Sequence, residues 1–190
     1  MTGKTFNETY SNSVTLSNVA YNPATVTGAI DVTTGDGLLG VAGTVWTVTN
    51  KGLIESKAAS GVGVLLNSGG SVTDVAAASI IGDLDGIAIS GGAGTVTNAG
   101  SITAGTDAVL LPAGFANRVV MDPGAVFTGT VSGGNAVSAA AISTLELASG
   151  ASDPPNGCGP FAPGPFPTPI RTIPNTAYLL RQNNVIRSGP

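Results

Sequence analysis

The chain has 190 residues, of which only 9% are charged and 5% aromatic, against roughly 25% charged in a typical soluble domain. With no histidine and a single cysteine, Cys158, it has no route to an intramolecular disulfide, a Cys/His zinc site or a histidine-dependent triad. Its charge is divided: Lys4, Lys51, Lys57 and Arg118 face all 11 acids before residue 154, a net −7, while Arg171, Arg181 and Arg187 leave the remainder at +3, and neither part shows the clustered basic face that nucleic acid requires.

Residues 1–25 are rich in Asn, Ser and Thr, with alternation at Val14-Thr15-Leu16-Ser17. They are expected to form an N-terminal cap or edge strands. Met1-Thr2-Gly3-Lys4 is not followed by an apolar h-region, so no signal peptide is expected in this chain, and no run approaches the length of a transmembrane helix. Residues 25–32 look like a degenerate copy of the repeat that follows, with Val26 close to its phase but not in it.

From Val45 a fixed period is firm. Val48, Val72, Val96 and Val120 recur at a constant spacing of 24; two positions on from each sit Asn50, Asp74, Asn98 and Asp122; two further on sit Gly52, Ala76, Gly100 and Gly124. Each unit reads as two short strands around a second apolar position. The first strand is Thr47-Val48-Thr49, Ser71-Val72-Thr73, Thr95-Val96-Thr97 and Val119-Val120-Met121. The second apolar position is Ile54, Ile102 and Val126, with Ile80 reached after a two-residue insertion. The further strand is 61–65, 86–89 and 108–111, and glycine pairs such as Gly69-Gly70 and Gly133-Gly134 close the unit. The period of two and the frequent glycines exclude helices, and the absence of reversals argues against hairpins. A fixed period of this length marks a stacked coil.

The fold class expected is therefore all-β: a single-stranded parallel β-helix of about five to six turns over residues 26–150. Val48, Val72, Val96 and Val120 form its inner ladder and Asn50, Asp74, Asn98 and Asp122 a structural turn ladder, since Asx side chains bond local backbone and tolerate tight turns. Residues 142–148 read as one more strand. Beyond Gly150 the composition changes, with nine of the 12 prolines in 154–190. Proline has no N–H to donate to a ladder, so 151–190 is expected to be an irregular, extended or disordered Pro/Gly-rich tail.

Candidate chemistry is sparse. Asp83, Asp85 and Asp107 are the acids of most interest: Asp85 and Asp107 precede matching strands and so are placed to stack on neighbouring turns, and a stacked pair offers oxygen ligands for Ca²⁺. Beside Arg118 they faintly resemble the calcium-assisted site of β-helical polysaccharide lyases; turn-stabilising aspartates are the simpler reading. With the valines inward, Thr47, Thr49, Ser71, Thr73, Thr95 and Thr97 put six hydroxyls on one flat outer face, a polar binding surface that resembles the ice-binding face of β-helical antifreeze proteins. On this reading the columns end at the fourth unit, where Val119 and Met121 take the hydroxyl positions. Trp46 falls outside any aromatic column and reads as a corner plug. No catalytic residue, metal or cofactor is expected.

Thr47-Val48-Thr49-Asn50-Lys51-Gly52-Leu53-Ile54 and Thr95-Val96-Thr97-Asn98-Ala99-Gly100-Ser101-Ile102 resemble the T-V-T-N-x-G-x-I repeats of bacterial autotransporter passenger domains, as does Arg118 to Gly129 followed by Ser143-Thr144-Leu145-Glu146-Leu147. The resemblance covers residues 26–150. It implies a right-handed parallel β-helix, secreted through a translocator β-barrel of the outer membrane encoded elsewhere, at the cell surface or outside it. It implies a non-enzymatic structural or adhesive role, with surface glycans or host and neighbour-cell proteins as partners. Two alternatives stand beside it: a carbohydrate-active, lyase-like protein and an ice-binding module.

Overall fold

Short β-branched segments separated by Gly, Asn or Asp extend only a few residues before the chain bends, and here each bend carries it onto the next flat side of a coil. The computed structural model describes residues 3–136, 139–148, 171–174, 180–181 and 184–185, the last three groups as strand backbone. The first turn holds β1 (Lys4–Phe6), β2 (Thr9–Tyr10) and β3 (Val14–Leu16). The second holds β4 (Ala24–Val26), β5 (Ala29–Val32) and β6 (Leu38–Gly40), and the third β7 (Trp46–Asn50), β8 (Leu53–Ser56) and β9 (Val62–Leu66). The fourth holds β10 (Gly70–Asp74), β11 (Ser79–Gly82) and β12 (Asp85–Ile89). In the fifth, β13 (Gly94–Asn98) is followed by one long strand, β14 (Ser101–Leu110); the sixth repeats this with β15 (Arg118–Met121) and β16 (Val126–Ser132). β17 (Thr144–Leu147) begins a seventh.

Each of these strands pairs in parallel with its counterparts one turn before and after, building three faces. Face 1 is β1-β4-β7-β10-β13-β15-β17. Face 2 is β2-β5-β8-β11 and then the first halves of β14 and β16; face 3 is β3-β6-β9-β12 and then their second halves. The molecule is thus a nearly all-β parallel solenoid of about six turns, the architecture that the fixed period implies. Six steps of roughly 4.8 Å make face 1 about 29 Å tall. Only the turn Val19–Tyr21 is helical among the described residues, a short 3-10 segment capped by Asn18. The first four turns have three strands each rather than two, because the second apolar position lies in a strand of its own; in the fifth and sixth turns that strand is continuous with the next.

The core is three stacked columns. On face 1, Ala24, Val48, Val72, Val96, Val119 and Leu145 lie in register. On face 2 the column is Tyr10, Ile30, Ile54, Ile80, Ile102 and Phe127. On face 3 it is Val14, Leu38, Val64, Ile87, Val109 and Val131. Fully burying each such aliphatic side chain stabilises the fold by about 1.5–3 kcal/mol before entropy is counted. Trp46 is wholly buried and its indole N–H donates to the Val41 carbonyl at 3.1 Å, so it does plug the corner between faces 3 and 1.

Two columns depart from the strict period. The fifth step of face 1 is one residue short, so Val119, only 3% exposed, pairs with Val96; Val120 pairs with Thr97 on the outer side and is not part of the inner ladder. The same slip puts Met121, not Asp122, opposite Asn98. In the fourth turn a two-residue bulge, with Ala77 at φ 66°, moves Ala76 out to solvent and sets buried Ala78 in the small-residue column. Its neighbours there are Gly52 and Gly100: Ser79 N–H donates to Gly52 O and Ser101 N–H to Ala78 O, both at 3.0 Å. The sixth-turn member is Ala125, preceding Val126, in place of Gly124. Close stacking explains the column: a Cβ on Gly52 would run into the Gly28 carbonyl below it.

Gly69 and Gly91, both at φ 70°, turn the chain from face 3 to face 1 in a conformation that L side chains rarely adopt. At the far end, β18 (Arg171–Pro174) lies antiparallel along β17, so this part of the tail joins a sheet; β19 (Leu180–Arg181) and β20 (Asn184–Val185) pair as a separate two-stranded ribbon. The proline-dense stretch 154–167 lies outside the described residues. No helix among the described residues is long and apolar enough to cross a membrane.

Candidate functional site: the hydroxyl face and its corner ladder

Strand alternation decides what face 1 offers to solvent. With Val48, Val72 and Val96 buried, the flanking residues point outward, and the register aligns them between turns. One column runs Thr47, Ser71, Thr95 and then Arg118. The other runs Thr5, Thr25, Thr49, Thr73, Thr97 and then Val120. The six hydroxyl residues read from the sequence do come together, and Thr5 and Thr25 extend the second column by two rungs. Arg118 and Val120, not Val119 and Met121, end the columns. Ser71 Oγ donates to Thr47 Oγ1 at 3.3 Å, linking two adjacent turns on the surface.

Thr5 and Thr25 were hidden because the inner residue of face 1 in the second turn is alanine. Ala24 pairs with Val48, so the second turn keeps phase; Val26, which invited the comparison, stands opposite Asn50. A search for small as well as branched apolar residues at the repeat spacing recovers Thr25, whereas Thr5 lies only 20 residues before it and is placed by register alone.

Beyond Arg118 the face changes character. Arg118 Nε and Nη2 each donate to the Glu146 carboxylate at 2.6 Å, a bidentate pair on the outer surface. The hydrogen bonds from Arg118 hold Glu146 below the usual carboxylate range.

The Asx column sits behind the face, at the corner between faces 1 and 2. Asn50, Asp74 and Asn98 are wholly buried and in register. Asn50 Oδ1 accepts from Gly52 N–H at 3.1 Å, and its Nδ2 donates to Asp74 Oδ1 at 2.8 Å and to Ser79 O at 3.0 Å. Asn98 repeats the pattern, accepting from Gly100 N–H at 2.9 Å and donating to Val126 O at 3.0 Å. The two asparagines therefore satisfy backbone groups that the turn leaves unpaired, and staple each of their turns to the next. Asn117, at the opposite corner, does similar work unread from sequence: it accepts from Gly94 N–H at 2.9 Å and donates to Pro112 O and Gly133 O.

The acids weighed as a calcium site are partly brought together. Asp85 and Asp107 are in register on adjacent turns, and Asp107 N–H donates to Asp85 Oδ1 at 3.3 Å. Burial raises the pKa of both, and the Asp85 charge raises Asp107 further. Asp83 is exposed, and among the described residues no group of three or more His, Cys, Asp or Glu side chains is placed to hold a metal ion.

No family model, curated protein or solved structure matches the chain.

Proposed function

We propose that this chain is a non-enzymatic, surface-displayed solenoid segment of the autotransporter-passenger kind, and that face 1 is its contact surface for neutral, hydroxyl-rich glycans at a cell surface. One observation carries the reading. Eight hydroxyl side chains, Thr5, Thr25, Thr47, Thr49, Ser71, Thr73, Thr95 and Thr97, occupy two columns on one flat face, with no charged side chain among them from the second turn to the fifth. Short side chains on a rigid sheet lose little entropy when they bind, so weak polar contacts add up efficiently. A neutral glycan presents the complementary donors and acceptors and no charge to be left unpaired.

Binding to an array of neutral and acidic glycans tests this. Retention on neutral glycans that falls at least about tenfold in Thr49→Lys/Thr97→Lys, with an unchanged β-sheet circular dichroism spectrum, is the expected outcome; a tenfold loss corresponds to about 1.4 kcal/mol. Equal retention by both proteins, or no retention by either, removes the face from the function. A translocator β-barrel encoded alongside the chain would support the passenger assignment independently.

The regularity of the same face favours ice binding as a second reading. Five consecutive threonines in one column repeat at about 4.8 Å between turns and about 6.7 Å along a strand, a two-dimensional hydroxyl lattice. Thermal hysteresis that disappears in Thr73→Tyr would select this reading over glycan binding.

A further inference from the structure

Asp74 stands where the corner ladder has asparagine in the turns on either side. Each asparagine uses its amide N–H to reach the carbonyl that opens face 2 of the next turn: Asn50 to Ser79 O, Asn98 to Val126 O. By register the carbonyl in the same place for Asp74 is that of Ser101, which pairs with Ser79 on β11. An ionised carboxylate has no proton to donate there. Its Oδ1 accepts from Asn50, while Oδ2 is buried without a hydrogen bond. The Ser101 N–H, which also faces the carboxylate, is committed to Ala78 O at 3.0 Å. Gly100 closes the site from above, for a Cβ at that position would come within 2.5 Å of Oδ2.

We propose that Asp74 is a protonation-operated latch between the fourth and fifth turns: with Oδ2 protonated it donates to the Ser101 carbonyl, as asparagine does in the neighbouring rungs, and with the proton lost the joint loosens. The chemistry is a single proton exchange with solvent during local opening. The elements around the carboxylate bring Asn50 from β7, Asn98 from β13, Ser79 from β11 and Ser101 from β14, none of them titratable. Lys51, the charged residue nearest in sequence at this corner, is exposed, and Asp122 lies one residue past Met121, the partner of Asn98. Among the described residues, therefore, no charge near Asp74 opposes or mimics its titration. Burial, resisted by the Asn50 amide and the Ser101 N–H, raises the Asp74 carboxyl from 3.8 to about 6. A raised acid pKa stabilises the fold fully below the unfolded value, and that contribution is lost as pH rises through about 6.

Native-state hydrogen exchange on the full chain tests the latch. With intrinsic rates corrected, protection of the Ala99 and Ser101 amides, which bridge the two turns through Asp74 O and Ala78 O, should fall on the order of 30-fold between pH 4.5 and 7.5. Asp74→Asn should abolish that pH dependence and hold the joint at or above its acid protection, since it supplies the missing N–H without changing shape. Asp85→Asn/Asp107→Asn, which removes the other raised acids between the same turns, should leave most of the dependence in place. A drop that persists in Asp74→Asn and vanishes in the double variant overturns the proposal, as does a carboxyl of Asp74 that titrates below pH 4 in the folded chain.

Discussion

Turns three to five and turns six to seven are written in the same motif, yet they behave as two materials. In the earlier set face 1 advances by the same interval at every step, its inner valines are sealed, and its outer side is hydroxyl throughout. In the later set the step first falls one residue short of that interval and then overshoots it by two, Leu145 is only partly buried, and the outer columns turn into Arg118, Val120, Thr144 and Glu146. On face 1, where the interior is regular the surface is left to threonine; where it loosens, an ion pair crosses between turns. Uniform inner packing is what allows a uniform outer face.

The contrast is broken most severely from inside. Val96→Asp places an unpaired charge in the sealed ladder and should cost at least about 4 kcal/mol, enough to abolish cooperative urea unfolding of a marginally stable stack. Thr97→Lys, one residue along, should stay within about 0.5 kcal/mol of the parent. Equal midpoints for the two variants would mean that the inner and outer sides have been exchanged.

A smaller effect locates the slip. Val119→Ala should cost about 2 kcal/mol and Val120→Ala under about 0.5 kcal/mol in the same unfolding measurement. The reverse order would restore the strict period and place Val120 back in the core.

The smallest effect concerns the ion pair that marks the later turns. Glu146→Gln should cost less than about 1 kcal/mol, and the difference should shrink in molar salt, because Arg118 is half exposed. Its pH dependence runs opposite to that of Asp74. A lowered carboxyl pKa contributes stability above the unfolded value of 4.5, and that contribution fades as pH falls through the folded value. A loss that is insensitive to salt and acid would assign Glu146 a packing role instead.

How much of this was legible follows from what fixes each feature. Val48, Val72 and Val96 share a ladder and can be paired from spacing alone, because a β-branched residue at so regular an interval has no competing explanation. Val120 misled for the same reason: Val119 and Val120 are chemically alike, and only the pairing of Arg118 with Thr95 selects between them. The third strand of each unit was missed because Leu53–Ser56 and Ser79–Gly82 have four residues each, too few for alternation to declare itself. Of the hydroxyl face, six members could be read; Thr5 and Thr25 waited on register. The special position of Asp74 was invisible, since Asn and Asp are equivalent as turn formers and differ only once the corner is known to be dry.

The unequal corners have an architectural consequence of their own. The path from Ser56 to Val64 is two residues longer than the path between their partners one turn earlier, Val32 and Leu38. The path from β9 to β10 gives those two back, so Val48 and Val72 still meet in register. From the second turn to the fifth each rung resets the alignment locally, and length changes there do not propagate. Such a scaffold lets decoration evolve at its edges while the lattice of its flat side stays fixed, and the exposed Ala59 and Ser60 mark a natural place for a graft.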